Sequence, residues 1–416
     1  MTATHSATLA IDEVVATRRA AGHDVLHLGF GEAGLPVPAG LGEVLAAAAG
    51  SNRYGPVAGS APARSAAAGW FARRGLPIEA AQVIFGPGSK PLLFALLAAI
   101  DGDVVLPRPS WVSYAAQAAL LGRQVISVPI PAEAGGIPDP AVLEDAVRAA
   151  RARGARPGVL VLTVPDNPTG TVASAGALQA VCSIAARHGL VVICDEIYAE
   201  LSHHAAAPSA ASYLPEAAVI TTGLSKSLAL GGWRIGYARL PDSAWGRDVL
   251  REVTGIASEV WSSLAAPMQA VAAYVLDDPG EVTARIAASR ALHARIAAAV
   301  HAELLAAGCA CRPPAAGFYL YPDFGPRRDR LAARGITTST ELAAALLDRC
   351  DIATLPGSAF GDRDTTLTLR IATSLLYGTT TEQRLTALRC DAPQDLPWIA
   401  GAIKRLRDSL TWLVTL

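Results

Sequence analysis

Charge is scarce in this chain: Asp, Glu, Lys and Arg make up 17% of 416 residues, and the two signs cancel to a formal net charge of -1. A surface without a basic excess offers no electrostatic footprint for a phosphate backbone and no polybasic patch for an anionic membrane. Nucleic acid and membrane are therefore not expected as partners, and a small molecule is the default ligand. Cysteine is thin as well. Cys182, Cys194, Cys309, Cys311, Cys350 and Cys390 form neither a CxxC pair nor a dense framework, which points to reduced core thiols in a cytoplasmic protein. No HExxH occurs among the eight histidines, and the neighbours His203 and His204 read as structural, so no metal is expected. The longest apolar run, residues 91–100, is too short to cross a bilayer, and the N-terminus lacks the charged-then-apolar order of a secretory leader. Low-complexity linkers and internal repeats are missing too.

What the chain has in quantity is apolar surface to bury. Hydrophobic residues reach 51%, which is incompatible with disorder and enough for a large core. The length accommodates one large domain at residues 46–290, with residues 1–45 as an N-terminal arm and part of a small domain, and 291–416 as the rest of that small domain. Near-continuous apolar runs at 83–85, 104–106, 158–164, 190–194, 219–222 and 235–240 read as strands buried on both faces. Between two of them Leu178, Val181, Cys182 and Ala185 keep helical spacing, and Gly189 ends that helix. Such alternation predicts an α/β fold with a mostly parallel central sheet, helices on both faces, and a smaller α+β domain. A long helix at 282–304, with Val282, Ile286, Ile296, Val300 and Leu304 on one side, leads to the smaller region. There the pattern gives strands at 317–321 and 366–373, a helix at 340–347, a turn at 355–361 and a final amphipathic helix at 399–413.

Polar residues gather immediately after strands, where open α/β sheets present their ligands. Asn167 follows one strand, Asp195 and Tyr198 the next, and Lys226 the third. Each has a local rival role: a turn residue before Pro168, a helix N-cap, or a solvated surface charge. Eight residues past Lys226, Arg234 opens the next apolar run. A lysine that forms an imine needs a rigid, partly desolvated seat, and a nearby phosphate needs a planar, permanently charged fork; these two residues supply both. Upstream, Gly86-Pro87-Gly88-Ser89-Lys90 has the order strand, glycine turn, helix start, which aims free N–H groups at an anion. It is not a Walker loop, because Pro91 stands where Ser or Thr would be; an ordinary tight turn is the alternative. Gly29-Phe30-Gly31-Glu32-Ala33-Gly34 satisfies G-x-G-x-x-G, but Pro36 and Pro38 follow at once, so these glycines serve close backbone approach to a ligand rather than a dinucleotide helix. Trp111, just past a strand end, is either core or a stacking surface for a planar group.

Taken in order, Tyr54, Gly88-Ser89-Lys90, Trp111, Asn167-Pro168-x-Gly170, Asp195-x-x-Tyr198, Ser225-Lys226, Arg234 and Arg370 resemble the class I/II aminotransferases, the fold-type I pyridoxal-phosphate enzymes. The resemblance runs over residues 25–373. It implies pyridoxal 5'-phosphate as cofactor, an amino acid and a 2-oxo acid as substrates, a place in amino acid metabolism, and a homodimer with shared active sites. It also implies roles. Lys226 would form the Schiff base and shuttle the proton, Asp195 would pair with the pyridine nitrogen, and Asn167 and Tyr198 would bond the ring's phenolic oxygen. Trp111 would stack on the ring. Ser225, Arg234 and the Gly88-Ser89-Lys90 turn would hold the phosphate, with Tyr54 reaching in from the partner subunit. Arg370 would grip the substrate's α-carboxylate, assisted by Asn167 and by backbone near Gly31. Lys90 stays open between phosphate, a substrate's distal carboxylate and solvent.

Transamination is the expected activity. A lyase, synthase, cyclase or oxidase on the same cofactor is the alternative, and a cofactor-sensing regulator is disfavoured because the short arm and near-zero charge leave no DNA-binding module. Four departures from the family pattern stand out. Ala33-Gly34-Leu35 replaces a frequent Pro-Asp-Phe, Gly223 stands where many members have a phosphate-binding serine, Asp166 replaces a common asparagine, and residues 375–397 look extended.

Overall fold

The computed structural model describes residues 6–131 and 135–415; the first five residues of the expected arm and the last residue of the chain lie outside them. A seven-stranded sheet holds the centre. Its strands lie in the order Val83–Pro87, Ile235–Arg239, Ala218–Gly223, Val191–Asp195, Pro157–Thr163, Asp103–Arg108, Val125–Pro129. Successive side chains of the central strands feed two different apolar layers, as the twofold repeat of a strand requires. Leu160, Leu162, Val192, Cys194 and Ile220 enter one layer, and Val159, Val161, Ile193 and Val219 enter the other. Both sets are fully buried, which is why the strands read as unbroken apolar runs.

Six strands point the same way and Ile235–Arg239 runs against both of its neighbours. The sequence pattern alone did not distinguish this strand from its parallel companions. The cause is the connection: residues 224–234 contain only the helical turn Leu224–Ser227 and the tight turn Gly231–Trp233. A parallel crossover needs a covering helix, so a connection this short reverses the chain instead. Lys226 and Arg234 sit on that reversal.

The long helix, Gly280–Ala306, extends two residues beyond the expected range at each end. It contributes Val282 and Ile286 to the sheet's core and Leu292, Ile296, Val300 and Leu304 to a separate one. The second core lies under a small antiparallel sheet of Leu355–Pro356, Leu369–Ala372 and Tyr319–Leu320. These strands are shorter than the apolar runs suggested, because the backbone at Thr366 and Thr368 closes local turns onto Arg363 and Thr366. Leu26–His27 pairs in parallel with Ile352–Ala353, and the Leu28 carbonyl accepts from Ala372 N at 2.7 Å. The N-terminal segment is thereby drawn alongside the strand that bears Arg370. Among the described residues no helix is long and apolar enough to cross a membrane, and no group of three or more His, Cys, Asp or Glu could hold a metal ion.

Gly236 shows how tightly the reversed strand is seated. It pairs with Gly86, and a Cβ placed on it would collide with Gly88 and lie 2.5 Å from Ser89 N. Gly236→Ala must push the strand from the turn that starts helix Ser89–Ala99. We expect a loss of about 1–3 kcal/mol in urea unfolding; an unchanged midpoint would show that the backbone there has room to spare.

Candidate active site

The carboxyl ends of strands Pro157–Thr163 and Val191–Asp195 and the turn Leu224–Ser227 open into one cavity of about 500 Å³. Gly31, Ser89, Lys90, Trp111, Asn167, Asp195, Tyr198, Ser225, Lys226, Arg234 and Arg370 all line it. Two sequence-predicted residues do not. Gly88 lies behind the wall, and Tyr54 is 92% exposed on the outer surface.

Asp195 ends its strand only 3% exposed. Its carboxylate accepts from Tyr114 Oη at 3.0 Å and from Ile197 N at 3.3 Å. Burial pushes its pKa up to about 6, against the opposing pull of Tyr114, Ile197 and the Lys226 charge. The donors hold the carboxylate in place without neutralising it. Tyr114 Oη also lies 2.7 Å from Thr163 Oγ1, so the phenol is fixed from both sides. Lys226 projects from the single helical turn after the next strand. Its Nζ donates to the carbonyl of Gly31 and lies 5.9 Å from the Tyr198 ring and 6.0 Å from the Phe318 ring.

At one end of the cavity, helix Ser89–Ala99 starts from Gly88, whose φ of 94° lies in the left-handed region and which offers no side-chain cap. The first N–H groups of that helix are left for a ligand. The Arg234 guanidinium packs so closely on Gly88 that a Cβ there would collide with it, and Nη1 donates to Gly231 O at 2.9 Å. Lys90 Nζ stands 5.2 Å from the Trp111 ring, its pKa lowered by burial and by the charges of Arg234 and Lys226. Gly223 cannot become the serine of related sequences without movement, because a Cβ would lie 2.6 Å from Ile235 O on the reversed strand. Ser225 therefore stands alone on that side.

At the other end Arg370 is 1% exposed. Nη2 donates to Gly29 O at 2.6 Å and Nη1 to Asn167 Oδ1 at 3.4 Å, while Nε has no partner. The guanidinium lies 4.8 Å from the Tyr319 ring and 4.9 Å from the Phe360 ring. Among the described residues no carboxylate pairs with it. Beneath Asn167, buried Asp166 accepts from Thr169 N at 3.1 Å and from Thr169 Oγ1, closing the turn that presents the amide. Burial raises the Asp166 pKa to about 7. This is how an acid can take the usual asparagine's place: it acts as a turn acceptor.

Several lining residues escaped sequence reasoning: Thr8, Leu9, Phe30, Glu32, Tyr114, Thr163, Ile197 and Tyr319. Thr163 and Tyr114 carried signals, one as the last residue of an apolar strand and the other three positions past Trp111. Thr8 and Leu9 carried none, since they reach the site only because helix Ala7–Ala20 folds back across the chain.

The donor set fits pyridoxal phosphate. An uncompensated buried carboxylate suits a protonated ring nitrogen, an amine stands between the two ends, and an uncapped helix start beside a guanidinium suits a phosphate. Fold and site together define a fold-type I pyridoxal-phosphate enzyme. The chain matches the family model of aminotransferase class I and II over residues 24–387. It is 33% identical over 388 residues to an aspartate aminotransferase of Geobacillus stearothermophilus, covering 89% of this chain and 93% of that one. It is 32% identical over 370 residues to an aspartate/prephenate aminotransferase of Cereibacter sphaeroides, covering 86% and 89%. A solved aspartate aminotransferase from Thermus thermophilus with maleate superposes with a TM-score of 0.83 at 27% identity, covering 98% of this chain and 97% of that one. The chain belongs to the class I and II aminotransferases, and is a pyridoxal-phosphate-dependent transferase that moves an amino group between an amino acid and a 2-oxo acid.

The Asp166 carboxyl yields a pH test. Its folded pKa of about 7 lies above the ordinary aspartate value of 3.8, so the cost of burying its charge appears as pH rises from about 4 through about 7. Asp166→Asn keeps an acceptor for Thr169 without that charge. The melting temperature of the cofactor-free variant, relative to wild type, is expected to rise across this window and level off above it. A difference that stays flat with pH would mean the carboxyl titrates normally.

Proposed function

We propose that this aminotransferase acts on amino acids with a second carboxylate, as a cytoplasmic homodimer whose sites are completed by Tyr54 of the other copy. The observation that carries the substrate reading is that, beyond Lys226 and Arg234, which this reading gives to the cofactor, the cavity bears two further cations not committed to any protein carboxylate among the described residues: Arg370 and Lys90. The named relatives act on aspartate or prephenate, and the solved neighbour is with maleate; each is a dicarboxylate, which supports the same reading. The 92% exposure of Tyr54 supports a second copy covering that surface, and six free cysteines suit a reducing compartment. For the domains we keep residues 46–290 as the large unit and 1–45 with 291–416 as the small one; the passage of helix Gly280–Ala306 from one core to the other supports this division.

In this reading the chain's residues divide the work. When bound, pyridoxal phosphate supplies an aldehyde for the substrate's amine and a protonated ring that draws electrons from the substrate's Cα. Asp195, held in position by the Tyr114 hydrogen bond, would keep the ring nitrogen protonated. Tyr198 and Asn167 would donate to the phenolic oxygen. Ser89, Ser225, Arg234 and the start of helix Ser89–Ala99 would hold the phosphate, and Trp111 would supply an aromatic surface for the ring. Arg370 takes the α-carboxylate in a two-pronged grip, fixing the orientation of the Cα–H bond. Lys226 Nζ then moves the proton at Cα as general base and acid, and Lys90 receives the distal carboxylate. Thr8, Leu9 and Phe30 complete the wall against water.

Mixing the yellow holoprotein with one amino acid and no oxo acid tests the reaction type. A single stoichiometric equivalent of oxo acid is expected, and continued turnover without an acceptor would favour a lyase or oxidase. Lys226→Ala should bind the cofactor only reversibly and lose turnover; substantial residual activity would remove Lys226 from its role. For substrate choice, Lys90→Ala should lower kcat/KM for aspartate by about ten- to hundredfold, or roughly 1.5–3 kcal/mol. The value for alanine should stay nearly constant. Equal losses on both substrates would place Lys90 at the phosphate instead.

A further inference from the structure

Tyr198 has a hydrogen-bond problem that its neighbourhood resolves. In the proposed site its single hydroxyl proton is needed for the cofactor's phenolic oxygen, yet Tyr198 Oη lies 2.9 Å from the hydroxyl of Tyr319 with both groups buried. Two hydroxyls in contact share one O–H···O bond, so one donates and the other accepts. Either hydroxyl can be the donor across this contact, but if Tyr198 gives its own proton to the cofactor, Tyr319 must donate and Tyr198 Oη accept. Gly31 presses against the Tyr319 hydroxyl so closely that a Cβ on it would collide there. Tyr198 Oη is the side-chain hydrogen-bond partner that the Tyr319 hydroxyl has among the described residues. Its ring is held as well, lying T-shaped to Tyr198 with centroids 5.5 Å apart and facing the Arg370 guanidinium at 4.8 Å. A cation against the ring draws electron density from it and makes the hydroxyl a better donor.

We propose that Tyr319 is a positioning residue: its hydroxyl donates to Tyr198 Oη and so leaves the Tyr198 proton free for the cofactor's phenolic oxygen. The inference rests on the functional reading above and adds a residue to it. Tyr198 becomes the middle of a relay, and a hydroxyl that accepts one bond donates a stronger one. The charged groups facing the pair are Arg370 from strand Leu369–Ala372, Asp195 from the central sheet and Lys226 from the turn after it. Burial raises the Tyr198 pKa well above the ordinary phenol value, with further contributions from Tyr319, so the relay operates with its protons in place.

The test is a pH titration of the bound cofactor's absorbance in holoprotein reconstituted with pyridoxal phosphate. Weaker donation to the phenolic oxygen leaves it more basic, so Tyr319→Phe should raise the midpoint by about half a pH unit, roughly threefold in proton affinity. Tyr198→Phe should raise it further. The double variant should match Tyr198→Phe alone, because the relay has lost its middle member. Phenylalanine still covers Arg370, so KM for the amino acid should stay within about twofold, unlike the result of a general loosening of the site. An unmoved or lowered midpoint in Tyr319→Phe, or a shift that adds in full to that of Tyr198→Phe, overturns the proposal while leaving the functional reading intact. A wild-type protein that forms no coloured complex with pyridoxal phosphate overturns both.

Discussion

Buried charge that the protein itself does not neutralise is the constraint around which this site is arranged. Arg370 and Asp195 are 1% and 3% exposed, and neither has an opposite charge paired with it among the described residues. Burying an ion costs several kcal/mol, and hydrogen bonds to neutral groups recover part of that. Gly29 O and Asn167 hold the guanidinium; Tyr114 and Ile197 N hold the carboxylate. Such contacts fix direction more than they lower energy. The remaining deficit is one that an anion at Arg370 and a cation at Asp195 relieve, so binding energy and fold stability are linked through the same two side chains.

The residues that set this geometry are mostly without chemistry of their own. Parallel strands buried on both faces bring Thr163 and Asp195 to a common edge, and a connection too short for a crossover helix folds Lys226 and Arg234 back over it. Three glycines then bring backbone into near contact. Gly88, Gly223 and Gly236 leave no room for a Cβ against Arg234, Ile235 O and the Gly88–Ser89 peptide. The end of the cavity proposed to hold the phosphate is thus built by close approach to backbone. At position 223 the Ile235 carbonyl occupies the space that a serine Cβ would need.

How much of this could be read from sequence follows from the range of each interaction. Strands buried on both faces announce themselves as apolar runs, and Asn167, Asp195 and Lys226 were legible because they come immediately after such runs. The reversal of Ile235–Arg239 was not legible from hydrophobicity, which is the same for parallel and antiparallel strands at the centre of a sheet; the length of the connection held the information. Arg370 looked like any strand arginine until the family order was recognised. Tyr114 and Tyr319 depend on hydroxyl contacts with residues 81 and 121 positions away, and local pattern carries no trace of pairings at that distance. Tyr54 was proposed from its place in the motif order alone, and in the single chain it is 92% exposed.

Cavity size alone would have pointed elsewhere. A second cavity of about 700 Å³, larger than the one containing Lys226, lies beside Trp70, Glu196 and Glu200. Three of its arginine–carboxylate contacts are already made: Arg74 bridges Glu200 at 2.6 Å and Asp278 at 3.0 Å, and Arg73 reaches Asp278 at 2.8 Å. Glu196, whose pKa burial raises to about 7, accepts a hydrogen bond from Ser209 at 2.6 Å, and Arg290 at the rim is solvent-exposed. Apart from Arg290, a ligand entering there must compete with existing ion pairs for its own. Between Asp195 and Arg370 it breaks none, and this difference in charge compensation, more than volume, separates a binding site from a space left by packing.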